Sequence, residues 1–164
     1  MRHVMLTRLA ILALLLAVPA AQAEDFLLTA EGLDRYEQAT EIFYAWAVMH
    51  PDLSLQADGE RLGAMTDEEF RAQIAAVAPE LLETLEERGI ALAEYHAFSR
   101  TLAAYASWLT LMEYASFDPS RLSPLERENL EFVRGNRARF IEFHERMKQK
   151  YGAMSTAEAP IHQH

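Results

Sequence analysis

The residues best suited to chemistry are five polar side chains on the two segments with the clearest helical periodicity. They are His96, Arg100, Glu113, Asn136 and His144. His96 and Arg100 are one helical turn apart. Imidazole, guanidinium, carboxylate and amide groups that converge can line a polar pocket for an anionic ligand. The alternative interpretation is structural, because asparagine in a helical seam commonly fixes register and long cationic side chains reach solvent.

The histidines do not match the pattern of a metal or haem site. A di-iron helical bundle needs Glu-x-x-His pairs, and no glutamate stands three positions before His50, His96 or His144. The chain has no cysteine, which excludes thiolate ligands, iron–sulfur clusters, disulfides and covalently attached haem. His162 and His164 offer two ligands, whereas specific sites need three or four. We therefore predict no metal site and no cofactor.

The sequence also lacks the motifs of common enzyme active sites. Ser99, Ser107 and Ser116 fall within a predicted helix, and no Gly-x-Ser-x-Gly motif places a serine on a strained turn. There is no glycine-rich loop for a phosphate group. These patterns favour a protein without enzymatic activity, although a helical bundle can build a site from dispersed residues.

Helix start and stop signals divide the chain into four predicted helices and no strands. Thr29 is a predicted N-cap for a first helix over about residues 30–49. A capping box from Thr66 to Glu69 begins a second helix, which ends at Gly89. Pro79 lies inside this second helix and removes a backbone donor, so we expect the helix to be kinked or split there.

The third and fourth predicted helices carry the longest apolar seams. The third extends from about Tyr95 to Ser116 and is apolar over more than half its circumference, which is typical of a central helix or one that awaits a partner. The fourth begins at Ser123-Pro124 and continues to about Tyr151, and Asn136 is predicted to be buried in its seam. Four helices with one apolar side each predict an all-α, up-and-down four-helix bundle. The long connection from His50 to Met65 is either functional or mobile.

The first 23 residues have the three-part layout of a secretory signal peptide. Arg2 and Arg8 precede an apolar run from Leu9 to Val18, and Ala21-Gln22-Ala23 matches the small-x-small cleavage pattern. The run is too short to span a bilayer, which disfavours the alternative of a membrane anchor. We therefore predict cleavage after Ala23, a periplasmic or extracellular location, a helical domain over residues 24–153 and a disordered tail over residues 154–164.

The charge of the chain is uneven along its length. The formal net charge of −10 argues against a nucleic-acid binder. Residues 24–99 carry 17 acidic and 4 basic side chains, whereas residues 119–151 carry 8 basic and 5 acidic ones. One interpretation is that the acidic body pairs with its own basic helix. The other is that a charged face docks a partner.

Two short segments resemble a pattern in small exported all-helical bacterial proteins of unknown function. Glu87-Arg88-Gly89-Ile90 is followed by Glu94-Tyr95-His96-Ala97-Phe98, and the start at Leu28-Thr29 is also similar. The resemblance covers roughly a third of the chain. It implies export and a helical fold, and it supplies no catalytic residues.

These observations lead to two functional hypotheses. We expect an exported, non-enzymatic helical protein that binds another macromolecule, through its third helix or its basic fourth helix. The alternative is a small-ligand or metal-binding bundle, with a polar pocket between the third and fourth helices built from the five residues named above.

Overall fold

The computed structural model describes residues 26–50, 64–114 and 122–152, except for the side chains of residues 111, 113 and 114. These residues form five helices and no strand, which confirms the predicted all-α class. The helices are α1 (Ala30–Met49), α2 (Asp67–Val77), α3 (Pro79–Glu87), α4 (Leu92–Tyr114) and α5 (Pro124–Gly152). The predicted signal peptide and tail lie outside the described residues, as does most of the connection between His50 and Met65.

The predicted start signals are confirmed by their hydrogen bonds. The Thr29 hydroxyl accepts the backbone N–H of Gly32 at 3.0 Å. At α2, the Thr66 hydroxyl accepts from the backbone of Glu69, and the Glu69 carboxylate accepts from the backbone of Thr66. Ser123 and Glu126 make the same reciprocal pair at α5. Each pair satisfies N–H groups that the first helical turn leaves without a partner.

The second predicted helix is split, as Pro79 indicated. α2 ends at Val77, and Pro79 occupies the first turn of α3, where its missing N–H costs nothing. Arg71 and Glu86, which are almost equally far from the break, form an ion pair at 3.2 Å, so α3 folds back along α2. Gly89 ends α3 with φ of +68°, a conformation that a residue without a side chain adopts readily.

The up-and-down arrangement is not confirmed, because α1 and α5 run parallel. Hydrogen bonds join Leu28 to Asn129 near the start of both helices. Further along, Arg139 binds Glu37 and Lys150 binds Glu41. An up-and-down bundle requires its first and fourth helices to be antiparallel. The helices do not alternate in direction along the chain. Glu80 at the start of α3 accepts from Trp46 near the end of α1, whereas Glu94 at the start of α4 accepts from Arg35, so α3 leads back toward the start of α1.

Aromatic and aliphatic side chains of α1, α4 and α5 form the main core. Phe98 is 1% exposed, and its ring stacks on Tyr36 at 5.3 Å and meets the edge of Phe132 at 6.4 Å. Leu102 is also buried, as the seam of the third predicted helix indicated. A second cluster packs α2 and α3 against α1 and the start of α4. Within the described ranges, no helix is both long and apolar enough to cross a membrane.

Candidate functional site

A half-open groove of about 300 Å³ lies between the parallel helices α1 and α5. Its floor consists of Phe143 and Met147, which are buried. Its walls carry three carboxylates, one amide and one guanidinium group. The lining residues are Asp34, Glu37, Gln38, Glu41, Phe143, Arg146 and Met147. An apolar floor with charged walls suits a ligand that is itself partly apolar and partly charged.

Helical spacing places the charged residues on the facing sides of the two helices. On α1, the carboxylates lie at positions 34, 37 and 41, with intervals of three and four residues. On α5, the cations lie at positions 139, 146 and 150, with intervals of seven and four. Because the helices are parallel, the first cation of α5 meets the first carboxylates of α1, and the last cation meets the last carboxylate. The acidic body therefore pairs with its own basic helix, which was one of the two interpretations of the charge pattern.

Ion pairs frame the groove at both ends. At one end, Arg139 donates to Asp34 at 2.6 Å and to Glu37 at 2.8 Å. At the other, Lys150 and the Tyr151 hydroxyl both donate to Glu41. The Lys150 hydrogen bond holds the pKa of Glu41 below its usual range, against the opposing effect of its partial burial.

The Lys150–Glu41 pair contributes little to stability, because both of its side chains reach solvent; in the Arg139–Glu37 pair, by contrast, the Glu37 side chain is only 16% exposed. The Lys150 and Glu41 side chains are 56% and 42% exposed, and water and salt screen pairs of this kind. Arg146 lies between the two ends, with its guanidinium carbon 5.8 Å from the centroid of the Phe143 ring. Another charged group can therefore replace the Lys150–Glu41 contact at low cost.

The structure brings His96 and Arg100 together, on the side of α4 that faces α2. His96 is buried, with Nδ1 2.7 Å from a carboxylate oxygen of Asp67 and its ring stacked on Phe70 at 4.3 Å. Arg100 donates to the backbone carbonyl of Met65 at 3.2 Å. These contacts hold the start of α2 against α4.

Asn136 and His144 lie on α5, whereas His96 and Arg100 lie on α4 and contact the start of α2. The Asn136 amide donates to the Phe132 carbonyl of its own helix at 2.9 Å, and the residue is only half-buried. The prediction that Asn136 is buried in the seam is therefore wrong: its position on α5 leaves the side chain half-exposed, and the amide bonds a carbonyl one turn earlier in the same helix. His144 is half-buried beside Phe143. The side chain of Glu113 lies outside the described residues, so the five-residue pocket stays a prediction.

The buried asparagine of α5 is Asn129, which the sequence interpretation passed over as a site. It is 0% exposed, and its amide bonds the backbone of Leu28 and Phe26. Asn129 and Asn136 both occupy the predicted seam. The sequence pattern does not distinguish the two. Asn129 bonds a residue more than a hundred positions away, whereas Asn136 bonds a residue four positions away.

We predict that His144 makes stability depend on pH. Burial lowers the pKa of His144 below its ordinary 6.5, and the nearby Lys148 acts in the same direction, against Glu145 and Glu37. Because the pKa of His144 is lower in the folded state than in the unfolded state, the stabilising contribution of the neutral imidazole is complete above about pH 6.5. It is lost as the pH falls through the folded-state pKa. The melting temperature of wild type should fall between about pH 7.5 and pH 5.5 by more than that of His144→Gln.

The comparison at higher pH is the control for this prediction. Between about pH 7.5 and pH 8.5 histidines stay neutral, so the difference in melting temperature between wild type and His144→Gln should be constant there. If the melting temperature of His144→Gln fell at acidic pH by as much as that of wild type, the assignment of this pH dependence to His144 would be contradicted.

Groups of three metal-binding side chains are absent from the described part of the chain. Comparisons with known proteins found no matching family model, no similar curated protein and no similar solved structure. The function of this chain is therefore inferred from its own residues.

Proposed function

We propose that this is an exported, non-enzymatic helical protein that binds another macromolecule, and that the groove between α1 and α5 is its binding surface. The observation that carries the proposal is the combination of a buried apolar floor, Phe143 and Met147, with charged walls that solvent reaches. Surfaces of this kind bury an apolar anchor of a partner and surround it with polar contacts.

Charge indicates the chemistry of the partner. The groove lining carries three carboxylates and one guanidinium group. A lysine or arginine side chain from a partner can compete with Lys150 for Glu41, because that pair is exposed. An adjacent apolar side chain would cover the floor. The proposed partner is thus a protein segment that alternates apolar and basic residues, which fits the acidic net charge of the chain.

Export is the second part of the proposal, and it is supported by the layout of residues 1–23. An exported chain without cysteine has no disulfide to stabilise it, so its stability comes from the core between its helices. The caps and the aromatic core described above are consistent with that requirement.

Binding of two defined peptides tests the groove. One labelled peptide of about ten residues alternates leucine and lysine, and the other alternates leucine and glutamate. We expect the basic peptide to bind at least about tenfold more tightly, a difference of about 1.4 kcal/mol. Glu41→Lys should weaken its binding by at least about tenfold, because it reverses one wall of the groove.

The matched control is Glu83→Lys, which makes the same change in net charge at an exposed position on α3, outside the groove. It should leave the affinity within about twofold, since distant exposed charges are screened. Equal weakening by the two variants would show that only overall charge attracts the peptide, and the groove would be rejected as the site.

A further inference from the structure

Two carboxylates of α1, Asp34 and Glu41, reach solvent at the two ends of the groove. The Asp34 side chain is 58% exposed, and that of Glu41 is 42% exposed. Each acid uses one oxygen in its contact with α5. Arg139 donates to Oδ1 of Asp34, and Oε1 of Glu41 accepts from Lys150. A carboxylate accepts through both of its oxygens, so each acid can also bind a cation that approaches from solvent.

The spacing of the two acids matches the repeat of a helix. Asp34 and Glu41 lie seven positions apart on α1, which is two turns and a rise of about 10.5 Å. Two cations seven positions apart on a helix that lies along the groove have the same spacing and share one face. In an extended segment, about 10 Å corresponds to three residues, and residues three apart point to opposite faces. An extended segment would therefore direct one of two such cations away from α1.

The groove binds through side chains and not through backbone. Residues 34–41 and 143–147 lie inside α1 and α5, so their N–H and C=O groups bond within each helix. An extended segment pressed against the apolar floor, Phe143 and Met147, would bury backbone groups that find no partner there, which is unfavourable. A helical segment satisfies its own backbone and presents only side chains to the floor.

We propose that the partner segment is an amphipathic α-helix that lies along the groove, with two basic residues seven positions apart facing Asp34 and Glu41. Apolar residues three and four positions after the first basic residue cover the floor, which lies between the two acids. Basic and apolar side chains thus alternate along one face of the partner helix, a known mode of recognition in grooves. This conformation and spacing rest on the proposed function of the groove.

Labelled peptides of about 18 residues, rich in alanine and glutamine so that they form helices, test the proposal. The matched peptide has two lysines seven positions apart, with leucines three and four positions after the first lysine. A mismatched peptide of the same composition has its second lysine moved two positions further, onto the opposite face. A third peptide has proline in place of a central alanine of the matched peptide, which breaks the helix. We expect the matched peptide to bind at least about tenfold more tightly than either.

Variants of the protein test the two contacts separately. Asp34→Asn and Glu41→Gln should each weaken binding of the matched peptide by at least about threefold. Each loss should disappear when the lysine that faces the altered acid is replaced with glutamine, and the two acids should respond to different lysines. Glu83→Gln, at an exposed position on α3, is the control and should leave the affinity within about twofold.

The outcomes separate the helix from the groove itself. Equal affinities of the matched peptide and its proline variant would overturn the helix, even if the ten-residue basic peptide still bound more tightly than the acidic one. Coupling of both acids to the same lysine would overturn the seven-residue spacing. If Glu41→Lys weakened binding no more than Glu83→Lys, the groove would be rejected and the helix with it.

Discussion

Replacement of Asn129 with leucine is expected to lower the free energy of unfolding by about 2–5 kcal/mol. The side chain is 0% exposed and pairs with one backbone donor and one backbone acceptor. Leucine branches at the same atom and is larger than asparagine, so the cost does not come from a cavity. It comes from the buried Leu28 N–H and the part-buried Phe26 carbonyl, each of which would lose its partner.

Urea unfolding followed by circular dichroism measures this effect, and Asn136→Leu on the same helix is its control. The Asn136 amide is half-buried and bonds a carbonyl of its own helix, which is already engaged in α5. We therefore expect Asn136→Leu to change stability by less than about 0.5 kcal/mol. Equal destabilisation by the two variants would mean that the buried contacts of Asn129 do not distinguish it from Asn136.

Replacement of Phe98 with alanine is expected to cost about 3–5 kcal/mol, through lost transfer free energy and the cavity left behind. Phe98 is 1% exposed and is the point at which the core residues of α1, α4 and α5 meet. Its ring contacts the rings of Phe26, Tyr36 and Phe132. The surrounding helices can collapse onto the cavity only partly, since each is also held by other contacts.

Two comparisons check that the loss arises from packing at this point. Ile141→Ala removes an exposed aliphatic side chain, 57% accessible, and should cost less than about 0.5 kcal/mol. A methyl group added at Gly32 would meet the Phe98 ring at 3.0 Å. Gly32→Ala should therefore be less destabilising in the Phe98→Ala background than in wild type, a coupling that a double-mutant cycle measures. Additive effects of the two changes would contradict this contact.

Features that depend on neighbouring residues could be predicted from the sequence. The caps at Thr29, Thr66 and Ser123 need partners only three residues away, so the sequence contained both members of each pair. Pro79 acts on its own backbone, and its effect on the second helix was equally predictable. Burial of Phe98 and Leu102 followed from apolar periodicity, because a helix with one apolar stripe has a single side to turn toward the core.

The groove could not be predicted, because every contact that frames it joins residues about a hundred positions apart. The pairs of Arg139 with Glu37 and of Lys150 with Glu41 exist only because α1 and α5 are parallel. The direction of α5 relative to α1 depends on how all the intervening helices pack, which no local sequence pattern encodes. The contacts of His96 and Arg100 with α2 could not be predicted either, because Asp67 and Met65 lie 29 and 35 positions away from them.

By itself, then, the sequence determined the helices, their ends and the apolar face of each, since these follow from local hydrogen bonding and from the period of the helix. The tertiary structure alone decided which helices are neighbours and in which direction they run. It thereby decided that Asn129 is buried and Asn136 is not, and that the cations of α5 meet the carboxylates of α1. Those outcomes depend on the packing of the whole core, in which each helix is positioned by all the others.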